Sequence, residues 1–131
     1  MSQSLAALAV SLLALQSCSK QPAEILLKEA KQVDGKWLYA EAPYTGVITD
    51  AYKNGQARVR WQLQHGLLHG VVREWWQNGQ QSTETHFHQG QRHGLNRYWD
   101  KQGVLLKEQV YDHDVSVSEK LWPDGKPTGL E

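Results

Sequence analysis

The sequence predicts an all-β fold, a single-layer antiparallel β-meander of repeated hairpins, and two observations carry that prediction. Gly46, Gly70 and Gly94 stand 24 residues apart, and Gly55, Gly79 and Gly103 keep the same period nine residues later. Between these glycines lie runs of six to nine residues with Val, Thr, Trp and Tyr, such as Val71–Gln77 and Gln81–His88. Such runs bounded by turn residues read as strands, and a fixed period of this length marks a repeat architecture. No helical period of 10–15 residues intervenes, which argues against a parallel βαβ layout.

The first stretch is a different material. Residues 1–17 carry no charged side chain, and Leu5–Leu15 is an apolar run of Leu, Ala and Val with one Ser. Eleven residues are too few to span a bilayer, which takes about 20, but they suit the apolar region of an export signal. The run ends at Leu15-Gln16-Ser17-Cys18, with the only Cys of the chain. This resembles a bacterial lipobox. The resemblance implies cleavage before Cys18, lipid on its sulfur and amine, and delivery to the cell envelope. Ser19 in place of Asp implies the outer membrane. Gln16 is larger than the usual lipobox residue, no Lys or Arg precedes the run, and a plain secretory signal is the alternative.

Residues 18–33 form a tether whose structure is open on sequence alone. Pro22 followed by Ala23-Glu24-Ile25-Leu26-Leu27-Lys28-Glu29-Ala30 suits a short helix, by its Pro start and its composition. A first strand paired across Asp34-Gly35 is the alternative, and the helix is the expectation.

The repeat domain covers 34–131. Its units are 46–69, 70–93 and 94–117, with a truncated fourth at 118–131 read as a cap. Asn54-Gly55 and Asn78-Gly79 are expected to supply the tight turns with φ > 0. Gly66/Gly70 and Gly90/Gly94 then return the chain to the next hairpin. Asp114 and Ser118 stand where the earlier units place glycine, and terminal repeats are commonly atypical. Pro123 and Pro127 remove ladder donors from the exposed edge.

Aromatic-x-x-Gly turns such as Trp76-Gln77-Asn78-Gly79, with Gly-x-x-x-Gly steps such as Gly66-Leu67-Leu68-His69-Gly70, resemble bacterial MORN-repeat variants. The opening Gly35-Lys36-Trp37-Leu38-Tyr39 and Pro43-Tyr44-Thr45-Gly46 are similar to the start of such arrays. The resemblance covers essentially the whole domain after the leader. It implies a curved meander that gains one hairpin per unit, and relatives that are secreted, lipid-anchored or labelled as toxin–antitoxin antitoxins. It identifies architecture better than function.

Composition narrows the function. Fourteen basic residues balance fourteen acidic ones, so no positive field exists to hold a phosphate backbone, and a nucleic-acid partner is not expected. Six Trp and five Tyr stand against one Phe, a balance that favours rings with a polar edge near water. Tyr52, Trp76 and Trp122 each precede a turn glycine by three residues, and Leu63, Phe87 and Tyr111 recur between them as a packed ridge. Alternation along a strand puts Trp75 on the face opposite Trp76. Trp75 and Trp99, which share a repeat position, are therefore the candidate partner-binding residues, or merely cover for a half-wet face.

Six histidines fall mostly in or beside turns: His65, His69, His86, His88, His93 and His113. Without a Cys partner or an HExxH pattern they read as surface residues, and neither a metal nor a cofactor is expected. Carboxylates are scattered, and Asp112-His113-Asp114 reads as a polar turn. No nucleophile motif or phosphate loop occurs, so no catalytic residue is expected and no small-molecule substrate. The reading is a non-enzymatic, membrane-anchored protein-binding module with an unidentified protein partner. The rivals are an antitoxin or immunity protein that occludes a toxin, and a structural envelope lipoprotein.

Overall fold

A computed structural model describes residues 20–125. Cys18, the leader and Pro127 lie outside the described residues. The described chain is almost entirely strand: β1 (Glu24–Leu26), β2 (Lys31–Val33), β3 (Lys36–Tyr39), β4 (Ala42–Pro43), β5 (Gly46–Ala51) and β6 (Ala57–Gln64), followed by β7 (Leu67–Trp75), β8 (Gln81–His88), β9 (Gln91–Arg92), β10 (Gly94–Trp99), β11 (Leu105–Asp112) and β12 (Val115–Leu121). The main sheet runs β1-β5-β6-β7-β8-β10-β11-β12, with β9 also on β8. From β5 onward every pairing is antiparallel and, apart from β8 with β10 across the short β9, between neighbours in sequence. The hairpin meander is as the glycine period requires. No helix among the described residues is long and apolar enough to cross a membrane.

The tether departs from expectation. In place of a helix over 22–30, Glu24–Leu26 pairs in parallel with Val47–Thr49, and only Leu27–Glu29 makes a single 3₁₀ turn. Ile25 decides this: as the sole buried residue of β1 it enters the main apolar cluster with Tyr44, Ile48 and Leu63. Tertiary burial overrides local propensity here. The alternative pairing across Asp34-Gly35 does form, between β2 and β3. With β4 these strands make a separate three-stranded sheet. It covers the first unit, where Trp37 and Tyr39 pack on the cluster and Trp37 meets Trp61 at 5.5 Å between centroids. The first unit is thus covered by a second small sheet, while the main sheet continues beyond it.

The two kinds of turn exchange the roles the sequence suggested. His65-Gly66, Gln89-Gly90 and His113-Asp114 are two-residue loops with positive φ at both positions, as a type I′ hairpin demands. The Asn-Gly turns belong to five-residue loops such as 52–56, where glycine alone turns left-handed, at φ +88° for Gly55 and +90° for Gly79. The asparagines act through their side chains. Asn54 Oδ1 accepts the Gln56 N–H at 3.1 Å, while its Nδ2 donates to the Gln77 carbonyl of the next unit at 3.1 Å. Asn78 repeats both bonds with Gln80 and Lys101.

Other bonds join unit to unit with the same offset. The Tyr52 hydroxyl donates to the Trp75 carbonyl at 2.7 Å, and Trp76 Nε1 donates to the Trp99 carbonyl at 3.1 Å. At the opposite ends of the strands, Gly66, Gly90 and Asp114 donate their N–H groups to the carbonyls of Tyr44, Leu68 and Arg92 at 2.8, 2.8 and 2.9 Å. The recurring ring before the turn glycine is therefore a hydrogen-bonding part as well as an apolar one, and Phe could not replace it. Asp100, in the same slot, instead accepts the N–H groups of Gln102 and Val104 within its own turn.

The two faces of the sheet differ. One carries Ile48, Val59, Leu63 and Val72, all buried, and becomes polar toward the C-terminus with Asn96, Gln109 and Tyr111. There Arg92 donates to the Tyr111 hydroxyl, which donates to Gln109 Oε1, while Gln109 Nε2 donates to Glu119. The other face carries a cross-strand row, Arg60, Arg73, Glu84, Arg97, Glu108 and Lys120, each opposite the next in register. Glu84 sits between two guanidiniums at 3.1 and 3.8 Å. Opposite charges facing one another across strands support a solvated sheet face.

Tyr44 is fully buried and its hydroxyl donates to the Pro22 carbonyl at 2.9 Å. Gly46 leaves room for that ring, because a Cβ there would collide with the hydroxyl and with the Ala23 carbonyl. Burial pushes the Tyr44 hydroxyl above its ordinary value. Removing the inter-unit bond in Tyr52→Phe is expected to lower stability by about 0.5–1.5 kcal/mol, read as a lower urea midpoint at unchanged slope. Tyr98→Phe is the control, expected to be neutral, since the Tyr98 hydroxyl makes no hydrogen bond among the described residues.

Candidate functional site

A groove of about 640 Å³ opens at the strand ends next to the five-residue loops. Its position follows from a repeated irregularity. The ladder shifts between Asp50 and Ala51, between Glu74 and Trp75, and between Tyr98 and Trp99, so Arg58, Ser82 and Leu106 are each skipped in the pairing. A bulge bends its strand and re-aims neighbouring side chains. All three skipped residues line the groove, as do Trp75 and Trp99 across from them.

Trp75 and Trp99 are half-buried in this groove and not presented on an open face. Trp76 lines the same groove, which corrects the opposite-face expectation. The strand ends at Trp75, so Trp76 belongs to the loop and alternation no longer governs it. Tyr52, Trp61 and Tyr98 complete the aromatic wall. The ridge expectation holds in part: Leu63 and Tyr111 are buried, while Phe87 is half-buried.

Two charged groups line this apolar wall. Arg58 is bound to Asp50, with Nε 2.6 Å from Oδ2. Glu74 is half-buried and has neither an ion pair nor a hydrogen bond among the described residues. A carboxylate left unpaired in an aromatic-lined groove is a natural seat for a cationic group, which gains from the carboxylate and from the ring faces together. Sequence reasoning passed over Glu74 as one of many scattered carboxylates. Its repeat equivalents are Asp50 and Tyr98, the first paired and the second uncharged, and that contrast was the available signal.

The turn histidines gather at the other ends of the strands. His69, His88, His93 and His113 form a row with ring centroids 4.9, 6.2 and 4.7 Å apart. His69 Nδ1 accepts the Gln89 N–H at 3.1 Å. His86 and His88 do not act together: His86 turns to donate from Nδ1 to the Leu95 carbonyl at 2.5 Å. Within Asp112-His113-Asp114, the turn reading is correct, and Asp114 takes the left-handed position of glycine at φ +68°. Its Oδ1 accepts from the Arg92 backbone N–H at 2.9 Å and from Arg92 Nε at 3.0 Å.

Comparison of the chain with protein-family models, with curated proteins and with solved structures gives no match. The function must be read from the molecule itself.

The Asp114 carboxyl is held below the ordinary carboxylate range, first by the Arg92 backbone N–H and then by the Arg92 side chain. A carboxyl whose value is lowered by folding stabilises the fold above its unfolded value, near 4, and loses that contribution as the pH falls through the lowered one. Thermal melts are expected to show wild type more stable than Asp114→Asn at neutral pH. The gap should close as the solution is acidified below the ordinary carboxylate value.

Proposed function

We propose that this chain is a non-enzymatic MORN-repeat-variant lipoprotein, anchored to the envelope membrane through Cys18, that binds a protein partner in its aromatic groove. The observation that carries the reading is the unpaired Glu74 among Tyr52, Trp75, Trp76, Tyr98 and Trp99. Half-buried Trp and Tyr rings offer large contact area at low entropic cost, and such residues dominate binding energy at protein interfaces. The occupant suited to this lining is a segment with an apolar side chain for the ring wall and a Lys or Arg for Glu74. On the charged opposite face Glu84 lies between Arg73 and Arg97, and Glu108 between Arg97 and Lys120, so its carboxylates are already matched.

Membrane anchoring rests on the lipobox resemblance at Leu15–Cys18. Attachment of two or more acyl chains is effectively stable, whereas one is marginal. The chain then enters the fold at β1, the edge strand beside the first unit.

Two measurements test the reading. Wild-type protein is expected to incorporate labelled palmitate and Cys18→Ala to lose it; equal labelling of both removes the lipoprotein assignment. A photo-cross-linker placed at position 99 in cells is expected to give a discrete protein adduct that Glu74→Gln diminishes. The same reagent at Val117, exposed on the far edge strand, should not give that adduct. Identical adducts from both positions, or indifference to Glu74→Gln, would exclude the groove.

A further inference from the structure

Three potential metal donors converge at the corner where the second and third units meet. His93, Asp112 and His113 each offer a ligand atom, and these atoms lie within 4.8 Å of one another. His113 Nδ1 is 2.6 Å and His93 Nδ1 3.5 Å from the same oxygen, Asp112 Oδ1, with the two rings 4.7 Å apart between centroids. We propose that His93, Asp112 and His113 bind one divalent late first-row transition ion of the Zn²⁺ class.

The geometry suits the ion. Zinc sits about 2.0–2.1 Å from imidazole nitrogen and carboxylate oxygen, which sets tetrahedral donors about 3.3–3.4 Å apart. The His93–Asp112 separation is already there. The His113–Asp112 pair is closer because a hydrogen bond joins them, and replacing that bond by two metal bonds opens it. Two imidazoles with one carboxylate form a donor set favoured by zinc and its neighbours over magnesium or calcium. Three protein ligands leave a fourth position for water.

The repeat explains why, among the described residues, the donors meet at this corner. His93 is the equivalent of Thr45 and His69, Asp112 of Gln64 and His88, and His113 of His65 and Gln89. The first unit thus places Thr, Gln and His at this corner, and the second His, His and Gln. Only the third assembles three donors that include a carboxylate. Its holding frame is rigid. The two-residue turn fixes His113 with positive φ, and the neighbouring Arg92–Asp114 bonds tie that turn to the strand just before His93. The donors themselves are exposed, so an ion can enter without unfolding the sheet.

The test uses the full chain in detergent, without a histidine tag, and Zn²⁺ as probe by calorimetry, with Co²⁺ as the spectroscopic reporter. One ion per chain is expected. His113→Asn, which keeps a residue tolerant of the left-handed backbone, and Asp112→Asn should each weaken binding more than about tenfold and remove the visible Co²⁺ band. His65→Asn, a turn histidine of the first unit, should leave both unchanged. Unfolding curves of the apo variants confirm that the sheet is intact. Absence of stoichiometric binding in wild type overturns the proposal, as does binding that survives His113→Asn or follows His65 instead.

Discussion

Beyond the first unit the main sheet has no second sheet packed on it among the described residues, so its turns reinforce the strand ladder that joins its hairpins. In this chain they do it by hydrogen bonds that run from each unit to a neighbouring one. At one end of the strands the Tyr52 hydroxyl, the Trp76 indole and the Asn54 and Asn78 amides reach forward to backbone carbonyls of the following unit. At the other end the second residue of each two-residue turn donates back to the preceding unit. Every such bond spans 22 to 23 residues of sequence, just short of one repeat. The glycine period is the visible trace of this stitching: it places each turn where the next can be gripped.

That constraint also places the two candidate sites. The first two five-residue loops begin with aromatic rings, Tyr52 and Trp76, whose polar edges reach the next unit, and the bulges beside them turn Trp75 and Trp99 toward the same groove. The two-residue loops bring the residues before and within each turn close to the preceding unit, which gathers the histidine row. Both sites are therefore products of the repeat, differentiated by single substitutions. Glu74 stands where the unit before has a paired Asp50, and Asp112 stands where the unit before has His88. Repetition supplies the positions, and exceptions to it supply the chemistry.

Much of this architecture was legible in the sequence, for a reason particular to repeats. Glycine series at one spacing, Gly46/Gly70/Gly94 and Gly55/Gly79/Gly103, mark two strands and two turns per unit in antiparallel order without any knowledge of packing. The errors came where contacts outside the repeat decide. The Ala-, Leu- and Glu-rich stretch after Pro22 has helical propensity, but Ile25 is worth more beneath Tyr44 and Ile48 than in a solvated turn. Trp75 and Trp76 were assigned opposite faces by an alternation rule that ends with the strand, and nothing in the composition marks where a bulge falls. The histidines were recognised as turn residues, yet their mutual proximity depends on the stagger between neighbouring turns, which periodicity in one dimension does not give.

The parallel pairing of β1 with β5 gives the molecule a mechanical direction. The chain enters β1 beside the start of β5, whereas the aromatic groove lies toward the end of β5, near Tyr52. Tension between that entry point and an occupant of the groove runs along the strands. It loads the β1–β5 contacts together in shear, where an antiparallel first strand pulled from its loose end would peel open one bond at a time. The N-terminal strand is in this sense a strain-resistant coupling between the chain that leads into it and the repeats that follow.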